Sequence, residues 1–125
     1  MEAFRPKPLF WIGSSRKDLR AFPAEVQDVM GRALLDAQFG DKHPDAKPLH
    51  GFGGAGVLEV VDDFAGDTYR TVYTVRFEHA VYVLHAFQKK ATRGISTPKR
   101  EIDLVRARYR AAEEHYRNSR QGGVG

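Results

Sequence analysis

Apolar residues recur along this chain at two periods, two for strands and about 3.6 for helices, and the switches between them mark out its elements. Leu9, Phe10, Trp11 and Ile12 form a short apolar run closed by Gly13, which predicts a strand over residues 9–12. Ser15, with Asp18 three positions on, reads as an N-cap in a weaker form of the capping box, and Leu19 and Phe22 supply the buried side of the helix it opens. Pro23 restarts the pattern as a first-turn residue. Val26, Val29, Met30, Ala33, Leu34 and Ala37 follow at helical spacing up to a stop at Gly40. Residues 15–39 are therefore expected as two helices, or as one broken at Pro23.

Residues 41–56, rich in Pro, Asp and Gly, read as a loop. Three segments with β-branched and aromatic residues, 57–61, 69–76 and 81–87, are expected as strands. Residues 62–67 connect the first two, with Gly66 supplying a positive φ, and a tight turn near Phe77, Glu78 and His79 joins the last two. Short connections imply an antiparallel meander, with helices covering one face. After a basic loop over residues 88–97, Pro98 opens the last helix, with Ser96 or Thr97 before it as cap. Ile102, Val105, Tyr109, Ala112 and Tyr116 form its apolar stripe. No repeat or second domain is visible: residues 1–119 read as one domain and residues 120–125 as a flexible tail.

Strand alternation sorts side chains by face. Tyr69, Thr71, Tyr73 and Val75 share one face and Arg70, Val72, Thr74 and Arg76 the other. In the next strand, Val81, Val83, His85 and Phe87 oppose Tyr82, Leu84 and Ala86. An arginine in mid-sheet is costly to bury alone, so Arg70 either pairs, with Glu59 as the neighbouring choice, or serves an anion. His85 is either a satisfied sheet histidine or a proton carrier.

Composition changes this picture little. The 125 residues are 42% hydrophobic and 29% charged, ordinary for a globular domain. Without cysteine the chain has no disulfide, thiol nucleophile or thiolate metal site. Arg5 and Lys7 precede the run at residues 9–12, which is too short for a signal-peptide core or a membrane span, so a cytoplasmic location is expected. Charge is more informative. The net charge is +4, and ten of the 20 Lys and Arg residues lie between positions 88 and 120. Lys89, Lys90 and Arg93 follow a strand, and Lys99 and Arg100 open the last helix, where orphan N–H groups favour a phosphate. No serine nucleophile elbow, phosphate-binding loop or paired histidine motif is present, and the glycines at 51, 53, 54 and 56 do not match a nucleotide loop.

Tyr69-Arg70-Thr71-Val72-Tyr73, the run from Tyr82 through His85 to Lys89-Lys90, Thr92-Arg93-Gly94 and Thr97-Pro98-Lys99-Arg100-Glu101 together resemble phage-derived Gp49-like and HigB-like proteins of the RelE/ParE toxin superfamily. The resemblance runs from about Leu9 to Tyr109. It implies an α+β fold: a curved antiparallel sheet with two N-terminal helices packed on one side and a C-terminal helix. It also implies a toxin of a type II toxin–antitoxin system that cleaves mRNA on the ribosome without metal or other cofactor. The implied partners are a helix-turn-helix, HigA-like antitoxin, mRNA and the ribosome; no membrane is expected, and DNA only indirectly through the antitoxin.

By the same resemblance Arg70 contacts the scissile phosphate, and Lys89 or Lys90 adds charge or acts as general acid. His85 or His50 is a candidate base, while Arg76, Arg93, Lys99, Arg100, Lys47 and His50 are candidate RNA contacts. Leu58, Glu59, Val60 and Val61 occupy the strand where RelE-like enzymes carry basic residues, and neither Tyr109 nor Tyr116 is assigned a catalytic role. Arg70→Ala is expected to reduce cleavage strongly and leave the fold intact. The rival readings are a ParE-like gyrase inhibitor without RNase activity and a non-catalytic phage-derived accessory protein. The stripe on the last helix is expected to pack on its own sheet, with an antitoxin segment as the alternative occupant.

Overall fold

A computed structural model describes residues 5–54, 56–90 and 97–122. The elements run β1 (Leu9–Trp11), α1 (Ser15–Arg20), α2 (Ala24–Gln38), β2 (Ala46–Pro48), β3 (Val57–Phe64), β4 (Asp67–Thr74), β5 (Val81–Lys90) and α3 (Lys99–Gly122). The strands form one sheet in the order β1-β5-β4-β3-β2.

The α+β class holds, but the sheet is neither antiparallel throughout nor curved. β1 pairs with β5 in parallel, Phe10 opposite Tyr82, which makes the sheet mixed. A parallel neighbour needs a long connection, and here two helices and three strands separate β1 from β5. The sheet stays uncurled and open, with β1 and β2 at opposite edges. Curling is built from repeated bulges and glycine kinks; these strands contain no glycine and the β4–β5 ladder has one irregularity.

That irregularity matters more than its size suggests. Val72 pairs with His85 and Tyr73 with Val83, so Leu84 is the extra residue of a bulge. Simple alternation puts His85 and Phe87 with Val81 and Val83. The bulge turns them over, onto the face that carries Tyr82, Leu84, Val72 and Arg70.

Helices cover both faces, not one. α1, α2 and the turn between them bury Leu19, Phe22, Val26, Met30 and Leu34 against Leu58, Val60, Tyr73 and Val83. On the other face α3 lays Ile102, Val105, Tyr109, Ala112 and Tyr116 over Val57, Val72, Tyr82 and Leu84. The stripe of the last helix thus packs on its own sheet, and Val105 and Ala112 are fully buried.

Element ends differ from the pattern for identifiable reasons. Ala65 and Gly66 both have positive φ, the requirement of a two-residue type I′ turn, so β3 and β4 pair to the hairpin tip at Phe64 and Asp67. β4 stops at Thr74, which leaves Arg76 beyond the strand. β2 lies inside the expected loop, three residues long with Lys47 and Pro48 exposed. Proline and lysine are tolerated there because an edge strand has one unpaired side. Ser15 caps nothing: it is buried inside α1, and its hydroxyl donates to the Val83 carbonyl at 3.2 Å. Arg120 to Gly122, expected as tail, extend α3. Among the described residues no helix is long and apolar enough to cross a membrane.

Tyr73, 1% exposed, has its phenol pushed up to about 12 from 10.0, first by burial and then by Asp36. The folded state therefore favours the protonated phenol, whose contribution is complete below pH 10 and lost as pH rises towards 12. Urea midpoints measured from pH 8 to 12 should fall less steeply for Tyr73→Phe than for wild type. Parallel curves would refute the assignment.

Candidate functional site: a polar network between the sheet and the last helix

The face under α3 is mostly apolar, and its buried charged side chains gather near the start of that helix. Register places Lys47, Glu59, Val72 and His85 in one row across β2, β3, β4 and β5. The next row holds Val61, Arg70 and Phe87, and the one beyond it Asp63, Thr68 and Lys89. Of these, Glu59 and Arg70 meet Thr97, just before α3, and His85 meets Glu101 in its first turn.

Arg70 Nη1 donates to Glu59 Oε1 at 3.0 Å and lies 3.4 Å from Thr97 Oγ1. Thr97 is not a helix cap; its hydroxyl donates to Glu59 Oε2 at 2.5 Å. The Arg70 and Glu59 side chains are only 8% and 4% exposed, so the ion pair is sealed from water. Burying either charge alone is far costlier than burying the pair.

His85 is held on both sides of its ring. Nε2 lies 3.1 Å from Glu101 Oε2, and Nδ1 lies 3.4 Å from Arg108 Nη1. Because a guanidinium only donates and a carboxylate only accepts, these partners assign the Nε2–H tautomer. The ring also stacks on Phe87, with centroids 4.9 Å apart. Arg108 continues outward, donating from Nη1 to the Leu84 carbonyl at 3.1 Å and from Nη2 to Ser14 Oγ at 3.1 Å. Gly13 makes that passage possible: a Cβ there would stand 2.8–3.0 Å from the Arg108 guanidinium, and its φ is +58°.

Two expected site residues, Arg70 and His85, thus lie in adjacent rows, each held against a carboxylate. Lys89 lies in the row beyond Arg70, half-buried. The side chain of Lys90 and the whole of Arg93 lie outside the described residues. Lys99 and Arg100 are exposed on the first turn of α3, Lys99 with Asp103 at 2.9 Å. Lys47 is exposed beside Glu59 on the edge strand, and His50 is exposed in the loop after β2.

Arg76 lies beyond the end of β4 but turns to the α3 side of the sheet, as the strand pattern expects, far along the helix from Arg70. It donates to Glu113 at 2.5 Å and Tyr109 at 2.8 Å, and these bonds, Glu113 first, raise its guanidinium above its ordinary value. Its role is to tie the β4–β5 connection to α3.

Glu101, Arg108 and Ser14 escaped the sequence reading. Glu101 and Arg108 are seven residues apart, on the helix face that carries Ile102, Val105 and Tyr109. Two charges flanking an apolar stripe were the available signal. Among the described residues no three His, Asp or Glu side chains are grouped as metal ligands would be.

The family model described as "Phage derived protein Gp49-like" matches residues 17–110. The chain belongs to this Gp49-like family. No curated protein matches it. Among solved structures, the Gp49-like chain is similar to the E. coli toxin RelE, determined as a double arginine-to-alanine mutant in the free state. The two are 18% identical with a TM-score of 0.50, over 72% of this chain and 88% of that one. It is also similar to a chain of the toxin–antitoxin complex RelBE2 from Mycobacterium tuberculosis, at 20% identity and a TM-score of 0.47, covering 68% of this chain and 100% of that chain. The RelE likeness identifies the fold.

Proposed function

We propose that this Gp49-like protein is the toxin of a type II toxin–antitoxin pair and cleaves ribosome-bound mRNA without a metal. The observation that carries the reading is Arg70: an arginine fork fixed on the sheet face of a RelE-like fold, with Lys89, Lys99 and Arg100 on the adjoining elements. In the proposed reaction the RNA 2′-oxygen attacks the adjacent phosphorus as its proton leaves. The bond to the 5′-oxygen breaks, that oxygen takes a proton, and the products are a cyclic phosphate and a 5′-hydroxyl. Arg70 suits the phosphoryl oxygens because its planar fork remains protonated.

Glu59 holds the place such a phosphate would take, so catalysis requires Arg70 to exchange one anion for another. His85 acts as a base only after Glu101 or Arg108 releases a ring nitrogen; His50 makes no hydrogen bond or ion pair among the described residues. A helix-turn-helix antitoxin and the ribosome are the proposed partners.

Primer extension on an mRNA should show new 5′ ends with protein and ribosomes together and none with protein alone. Intact mRNA under both conditions would overturn the RNase reading. The buried Glu59–Arg70 pair favours one alternative, a ParE-like inhibitor that works by protein contact. A gyrase supercoiling assay on the same preparation separates them, since inhibition there with uncut mRNA selects the alternative.

A further inference from the structure

We propose that the groove along α1 docks an RNA phosphate backbone through Arg16, Lys17 and Arg20. This names a second contact surface for the function proposed above and rests on its RNA partner. The groove measures about 620 Å³ and is lined by Gly13, Arg16, Lys17, Arg20 and Ala21.

Three observations carry the assignment. Arg16, Lys17 and Arg20 are exposed, and their side chains make no hydrogen bond or ion pair with any described residue. The one carboxylate of α1, Asp18, accepts from Ser14 Oγ at 2.7 Å and forms no ion pair with the three cations, so the helix keeps an excess of positive charge. Behind them a fourth cation, Arg108, is anchored at Ser14 and passes close to Gly13.

The lining also selects the class of ligand. A protein partner needs an apolar centre to its interface, but the uncharged residues here are a glycine and an alanine, while Leu19 and Phe22 point into the core. A polyanion needs only cations and counterion release. Arg16 and Arg20 lie one helical turn apart, so both address the same side of the groove. α1 packs beside β5, so the groove stands alongside the strand that ends at Lys89 and Lys90.

The test is fluorescence anisotropy with a labelled 20-nucleotide single-stranded RNA of mixed sequence, from 50 to 200 mM KCl. The full chain is compared with R16Q/K17Q/R20Q and with R5Q/R32Q/K42Q, which removes equal charge elsewhere. Each lost phosphate contact lowers the log–log salt slope by about 0.7, so the α1 variant should lose about 2 units. Over that fourfold salt range, wild-type binding should then weaken about 20-fold more than binding by the α1 variant. The control variant should keep the wild-type slope.

Equal losses in both variants, or an unchanged slope in the α1 variant, would overturn the docking site while leaving RNA binding in place. No RNA affinity in wild type would overturn the docking site, while the RNA-cleavage reading stands or falls on the primer-extension result with ribosomes. If poly-glutamate binding depends on the α1 cations and RNA binding does not, the partner is an acidic protein and the proposal fails.

Discussion

Arg70→Ala should destabilise the protein by about 3–5 kcal/mol, because it leaves Glu59 ionised and buried without its counter-charge. That replaces the simpler expectation of an intact fold. With whole-domain stabilities of about 5–15 kcal/mol, such a loss consumes much of the folded state. Lost cleavage by this variant alone would not distinguish a missing phosphate ligand from a missing protein.

The double variant E59L/R70M separates the two effects. Replacing a buried pair by apolar side chains of similar volume is often neutral or stabilising by about 1–4 kcal/mol. Thr97 loses its acceptor, but it is half-buried and water can replace the bond. Urea unfolding should therefore show R70A well below wild type and the double variant close to it. If Arg70 serves the scissile phosphate, the folded double variant leaves ribosome-bound mRNA intact. Wild-type cleavage by that variant would remove Arg70 from the mechanism.

Tyr82→Ala should cost about 3–5 kcal/mol, the range for truncating a large buried aromatic. Tyr82 is fully buried and joins three parts of the fold. Its ring stacks on Phe10 of β1 at 5.1 Å and meets Phe77 of the β4–β5 connection edge-on at 5.4 Å. Its hydroxyl lies 2.6 Å from His115 Nδ1 on α3. Tyr82→Phe keeps the packing and loses one hydrogen bond to an exposed histidine, a change of about 1 kcal/mol. Urea midpoints for the two variants should be clearly separated. A Tyr82→Ala protein within about 1 kcal/mol of wild type would mean that α3 does not depend on this anchor.

Much of the fold was legible because local periodicity and turn chemistry agree with it. The residues 26–37 stripe is α2, the stripe from Ile102 to Tyr116 is the buried side of α3, and the three central strands form the expected meander. Glu59 and Arg70 were a visible pair because adjacent antiparallel strands put nearby positions on one face. β2 was hidden by Pro48 and its glycine-rich surroundings. The parallel place of β1 was hidden because strand order depends on partners about 70 residues away.

The site shows the same division. Charge content, the absence of thiol chemistry, and the identities of Arg70, His85 and Lys89 were all present in the linear chain, because they depend on residue type and short-range spacing. One bulged residue, Leu84, decided which face His85 occupies. The docking of α3 on that face then decided that His85 sits between Glu101 and Arg108, and that Arg70 is closed in with Glu59 and Thr97. A bulge shifts side-chain facing by one residue for the rest of its strand, and burial converts an arginine from a free cation into half of an ion pair. Both effects arise from contacts distant in sequence, which no local pattern encodes.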